Sequence, residues 1–192
     1  MYFAYYDDNG WGAPNGQSQQ QFPSIVQSCV GPSLAALIDD SGIERLYAAW
    51  KGKTGDQGLY YTQYDGNGEW SEQGQPQLPI PYAQSSVGPS LAVFMGTLYA
   101  AWKGPTGDQG LYYAYYDGTE WSSEQEPPGP SYFPSPIGSS VGPSLAEFNG
   151  KLYAMWKGTN GDHRLWYASY DGAEWSKQAT VPGNTGQEVM PC

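Results

Sequence analysis

The residues of this 192-residue chain best suited to chemistry recur at fixed spacing. A Trp-Lys-Gly tripeptide occurs at Trp50-Lys51, Trp102-Lys103 and Trp156-Lys157, and an aspartate follows each lysine by five residues, at Asp56, Asp108 and Asp162. An indole offers a flat apolar face, an ammonium donates hydrogen bonds, and a carboxylate accepts them. An aromatic plate flanked by a donor and an acceptor suits a sugar, which has an apolar C–H face and a rim of hydroxyls. Such pockets are largely apolar with a few placed polar groups. These nine residues are the candidate carbohydrate-binding set, and Tyr99, Tyr112 and Tyr116 with their counterparts could add hydroxyls. The same Lys–Asp pairs could instead brace a loop, and exposed pairs of that kind contribute little.

What must position these residues is a repeat. Gly-Pro-Ser-Leu-Ala begins at Gly31, Gly88 and Gly142, and Leu-Tyr-Ala-x-Trp-Lys-Gly follows each time. Next come LYYTQYDG from Leu59, LYYAYYDG from Leu111 and LWYASYDG from Leu165, and then a further tryptophan at Trp70, Trp121 and Trp175. The opening MYFAYYDDNGW is a fourth copy of this last portion, closed by Trp11. Repeats of about 50 residues indicate propellers, solenoids or arrays. The expected organisation is one repeat domain spanning 1–192, with a half-blade at 1–26 and repeats at 27–84, 85–138 and 139–192.

Each repeat holds four strand-like runs, in the middle copy Pro89–Phe94, Thr97–Gly104, Gly110–Asp117 and Glu120–Gln125. Met95-Gly96 and Asn149-Gly150 have the form of two-residue hairpin turns. Nothing shows helical spacing, so no helix is expected. In the second run Leu98, Ala100 and Trp102 point one way and Tyr99, Ala101 and Lys103 the other, so both faces carry apolar groups. A sheet stacked between similar sheets needs two such faces, whereas an isolated antiparallel sheet keeps one face wet. The expected fold is all-β, a propeller-like array of four-stranded antiparallel blades; a β-sandwich and a linear β-solenoid are the alternatives. The proline-rich stretches Gln73–Gln84 and Glu124–Ser139 read as surface linkers.

The units GPSLAVF…LYAAWKG…GDQGLYYAYYDGTEW resemble the tandem repeats of bacterial and fungal β-propeller proteins, lectins of the tectonin and fucose-lectin kind among them. Tyr-Asp-Gly-x-x-Trp is also similar to the Asp-box turn of sialidases, with Tyr in place of Ser before the Asp. The resemblance implies a propeller that binds glycans and carries over no particular sugar or site residue.

The acids recur symmetrically, as Asp56/Asp108/Asp162 and Asp65/Asp117/Asp171, while glycosidases need one carboxylate pair in unlike environments. Only Arg45 and Arg164 are available for a sialidase-type arginine cluster, and His163 has Gln57 and Gln109 as counterparts. The sequence therefore favours a multivalent, non-enzymatic carbohydrate-binding protein without cofactor or metal. Millimolar sites, about 4 kcal/mol each, become useful when several engage one surface. A scaffold for protein–protein recognition is the alternative, and a glycoside hydrolase is the weaker third reading.

Composition narrows the partners. The net charge is -11, from 8 Lys+Arg against 19 Asp+Glu, which disfavours nucleic acid and anionic membranes. No apolar run approaches the roughly 20 residues of a membrane span. The first ten residues lack the basic and apolar regions of a signal peptide, so the protein is expected in the cytosol, or released by a route without a cleaved signal, unless the numbering begins at a processed start. A half-blade carrying Tyr2, Phe3, Tyr5 and Tyr6 needs covering, so a homo-oligomer, a dimer by preference, is expected. Cys29 and Cys192 fall at repeat-equivalent positions, held by Ser86 and Ser140 in the other repeats. Such positions normally lie at least a blade apart, too far for an intrachain bridge, so the two are read as free thiols or an interchain bridge.

Overall fold

The computed structural model describes residues 2–7, 10–12, 19–22, 24–39, 42–66, 70, 77–122, 131–133 and 137–182, with the backbone alone at 5–7, 10–12, 20, 131 and 132. Among them every regular element is a strand. β1 (Tyr2–Phe3), β2 (Tyr5–Asp7), β3 (Gly10–Gly12) and β4 (Gln20–Gln21) form two antiparallel ribbons, β1 with β4 and β2 with β3. Three four-stranded antiparallel meanders follow. The first is β5 (Ser33–Ile38), β6 (Glu44–Lys51), β7 (Gly58–Tyr64) and β8 (Leu78–Gln84). The second is β9 (Ser90–Phe94), β10 (Thr97–Lys103), β11 (Leu111–Tyr116) and β12 (Ser131–Tyr132). The third is β13 (Ser144–Phe148), β14 (Lys151–Lys157), β15 (Leu165–Tyr170) and β16 (Ala179–Thr180).

The hairpin turns are of the kind the sequence predicts. Met95 and Gly96 have φ of 50° and 72°, and Asn149 and Gly150 have 50° and 70°. Two positive φ values match the right-handed twist of the flanking strands. The opening residues also behave as a repeat portion, since Tyr6 faces Trp11 as Tyr116 faces Trp121 and Tyr170 faces Trp175.

The fourth strand is where the structure corrects the sequence reading. At Trp121 there is an isolated bridge to Tyr116, and the described outer strand comes later, as β12. The stretches read as linkers therefore contain β8 and β12, although 71–76, 123–130 and 134–136 lie outside the described residues. Proline misleads here because it cannot donate to a ladder. An edge strand tolerates it wherever its N–H would face solvent, as at Pro79 and Pro81 of β8.

The two faces of the second meander pack on different neighbours. Leu98, Ala100, Trp102, Tyr116 and Trp121 join Leu37, Tyr47, Ala49, Leu59 and Tyr61 of the first repeat in one buried cluster. From the opposite face, Ala92, Phe94, Ala101 and Leu111 join Leu145, Leu152, Ala154 and Trp156 of the third. Serine hydroxyls link the inner strands across these boundaries, where Leu91 N–H donates to Ser33 Oγ and Leu145 N–H to Ser90 Oγ, both at 2.9 Å. The closing tryptophans staple neighbours, with Trp121 edge-on to Tyr61 at 5.4 Å and Trp175 edge-on to Tyr113 at 5.6 Å. At the ends of the array the pattern stops, and Leu34 is 55% exposed while its counterpart Leu91 is 6% exposed.

The contrast between these two leucines generates a test. Leu91→Ala should destabilise the chain by about 2–4 kcal/mol, as for a buried leucine, and Leu34→Ala by less than about 1 kcal/mol. Urea unfolding of both variants checks it; equal losses would contradict the packing described.

Candidate functional site

The three Trp-Lys-Gly segments end the second strand of each repeat and lead into a tight loop. The lysine ammonium is buried in the first two repeats, where a charge needs hydrogen-bond partners. Lys103 Nζ donates to the backbone carbonyl of Asp108 at 2.7 Å, to Ser86 Oγ at 2.8 Å and to the Gly104 carbonyl at 3.5 Å. Lys157 repeats the pattern on Asp162 O and Ser140 Oγ. Lys51 binds Asp56 O, and there Cys29 takes the place of the serine. Its thiol is free and also donates to the Gly52 carbonyl, while Cys192 lies outside the described residues. Each ammonium thus joins a loop to the connection entering the repeat.

The loop then turns its aspartate side chain back over the glycine of Trp-Lys-Gly. A Cβ at Gly52, Gly104 or Gly158 would collide with the side chain of Asp56, Asp108 or Asp162. Asp108 accepts Gly110 N–H at 2.7 Å on Oδ1 and Tyr112 O–H at 2.6 Å on Oδ2. Asp56 accepts the same pair from Gly58 and Tyr60, at 2.9 and 3.0 Å. In the third repeat Trp166 Nε1 replaces the phenol, at 2.9 Å, and Arg164 adds Nε and Nη2 at 2.9 and 3.1 Å. Charge follows this bonding. The Tyr112 hydrogen bond, with the Gly110 N–H behind it, holds the Asp108 carboxyl below its usual value. The Arg164 side chain holds Asp162 well below the carboxylate range. Burial, reinforced by the bond to Asp56, pushes the Tyr60 phenol up.

These placements divide the predicted set. Trp50, Trp102 and Trp156 are at most 2% exposed, so no indole face is open to a ligand. Their role is to be packed on: the Tyr112 ring stacks over Trp102 at 6.3 Å and 15°. Lys51, Lys103 and Lys157 spend their protons on backbone carbonyls and on the serine or cysteine of the incoming connection. The aspartates remain partly exposed, each beside a partly exposed aromatic ring. In the first repeat Asp56 and Tyr60 line a hollow of about 260 Å³ with Lys53, Gln77, Ile25 and Gln27, the last two from the connection entering the repeat.

The aromatic at this groove, four residues past each aspartate, was legible as Tyr60, Tyr112 and Trp166. Of the other proposed hydroxyls, Tyr116 is buried. Tyr99 sits at the opposite end of its strand, where burial, ahead of neighbouring tyrosines, pushes its phenol up to about 12.

The arrangement of stacked meanders can now be compared with known proteins. Neither a protein-family model nor a curated protein sequence matches the chain. Solved structures do. The N224Q mutant of Aleuria aurantia lectin in complex with alpha-methyl-L-fucoside matches at a TM-score of 0.60 with 14% identity, over 93% of this chain and 52% of that one. Aleuria aurantia lectin described as a six-bladed β-propeller with a novel fucose recognition mode matches at a TM-score of 0.58, again at 14% identity and the same coverage. The fold is a β-propeller. The chain spans about half the length of these lectins and resembles them in architecture, as its repeats imply.

The depressed carboxyls generate a pH prediction. A carboxyl whose pKa is lowered by folding stabilises the native state when ionised, and that contribution fades as the pH falls below about 4. Asp108→Asn should therefore be less stable than wild type at neutral pH, with the gap narrowing towards about pH 3. Urea midpoints measured across this range check it, and a constant gap would contradict it.

Proposed function

We propose that the chain is a multivalent, non-enzymatic carbohydrate-binding propeller whose sugar sites are the Asp–aromatic grooves at the second-to-third strand loops. The observation that carries this reading is the pairing of a partly exposed aromatic ring with a carboxylate whose two oxygens each accept one bond from the chain in the first two repeats. Each oxygen has a further lone pair for a sugar hydroxyl. The ring supplies the apolar plate, and Gln27 and Lys53 border the first groove with donors. In this version the buried tryptophans support the plate instead of forming it. The likeness to Aleuria aurantia lectin in complex with alpha-methyl-L-fucoside and with Fucalpha1-6GlcNAc supports the class of ligand. The symmetry of the acids supports binding over catalysis, which wants one asymmetric site. Self-association belongs to the same proposal, because Phe148, Met155 and Leu165 of the third repeat are exposed where their counterparts are buried.

Binding to an array of immobilised neutral glycans tests the proposal. The double variant Asp56→Ala/Asp108→Ala should lose at least tenfold in affinity, about 1.4 kcal/mol, while Met95→Ala at an exposed turn should bind as wild type. Silence of the wild type across the array, or binding that survives the double variant, would contradict it.

A further inference from the structure

The three proposed grooves share an aspartate that accepts from an aromatic side chain, and they differ in the cation that the chain places beside that pair. In the first, Lys53 lines the same hollow as Asp56. In the third, Arg164 pairs with Asp162 and its guanidinium lies 4.6 Å from the centre of the Trp166 ring. In the second, the position of Lys53 is held by Pro105 and that of Arg164 by Gly110, so neither supplies a charge. The Lys103 ammonium does not alter the comparison, because it sits on the Asp108 backbone carbonyl and all three repeats have that contact.

We propose that the second groove takes its cation from the ligand, and that it binds a sugar bearing a protonated amine, with the ammonium on Asp108 and the ring against Tyr112. This rests on the carbohydrate reading and narrows it for one groove. The third repeat shows that the fold accommodates a cation over the aromatic ring and on the carboxylate at once. Such a cation gains from both a charge-assisted hydrogen bond and the ring quadrupole. Among the described residues the hydrogen bonds to the Asp108 carboxylate come from neutral donors, Tyr112 and Gly110. Tyr82 is exposed and holds the repeat position of Ile25, which lines the first hollow. The net charge of -11 favours the approach of a cationic ligand. N-acetylation removes the charge from such a sugar while leaving its hydroxyls in place, so it isolates the contribution of the amine.

Calorimetric titration of the intact chain with glucosamine trisaccharide and with its fully N-acetylated counterpart tests the inference. The amine form should bind about tenfold more tightly at low salt, with the preference shrinking as salt is raised. Asp108→Asn should abolish the preference, and so should Pro105→Lys, which supplies the cation of the first groove. Glu44→Gln, an equal change of net charge at an exposed strand start, should leave it intact. Equal affinity for the two sugars, a preference that survives Asp108→Asn, or one lost equally in Glu44→Gln would overturn the inference. Equal binding of both sugars would leave the carbohydrate reading standing, whereas failure to bind these or any other glycan would remove both.

Discussion

A buried ammonium must have its protons accepted, and in this protein that demand organises the rest. Lys51 and Lys103 end strands inside the array, where water cannot serve them. Their acceptors are the carbonyl of the aspartate five residues on, the adjacent glycine carbonyl, and the serine or cysteine of the incoming connection. One charge therefore fixes three pieces of chain at once. Leaving a charge-bearing donor unsatisfied in such a place costs more than a neutral hydrogen bond returns, so the loop has little freedom to take another course. The aspartate side chain is then directed outward, over a glycine that leaves room for it.

The sheets follow from the same economy of space. Alanine at Ala48, Ala49, Ala100, Ala101 and Ala154 lets neighbouring repeats approach closely, while tryptophan and tyrosine fill the wider parts of each boundary. A meander built in this way has no wet face, and its stability comes from its neighbours, as in other stacked-repeat architectures. Latches across the boundary add direction: Gln57 accepts the Thr106 N–H at 2.7 Å, and Gln109 the Asn160 N–H at 2.9 Å. These bonds hold successive loops side by side, so that the grooves they border recur in the same orientation.

Much of this was legible in the residues. Alternation along Thr97–Lys103 placed Leu98 and Trp102 on one face and Ala101 and Lys103 on the other, and both faces are buried. The Asn-Gly and Met-Gly hairpins were legible because positive φ has few sequence solutions. The outer strand was hidden, since prolines that signal a linker are equally at home on an edge strand. The indoles expected to form the sugar plate lie in the core. Tryptophan is both the best sugar plate and the best core filler, and spacing alone does not distinguish the two uses. Burial does, and it leaves Tyr60, Tyr112 and Trp166 as the partly exposed rings, to which the proposed function assigns the ligand-facing role. The lysines looked exposed because charge usually is; here backbone carbonyls make a polar nest for them.

The division between an inner tryptophan layer and an outer Asp–aromatic layer is open to direct observation. With ¹³C-labelled tyrosine and tryptophan rings, a glycan that binds can be titrated while the side-chain resonances are followed by NMR. The account predicts saturable shifts at Tyr60 and Tyr112, with the ring signals of Trp50 and Trp102 moving far less. Large shifts at the buried indoles with Tyr60 and Tyr112 unmoved would contradict it.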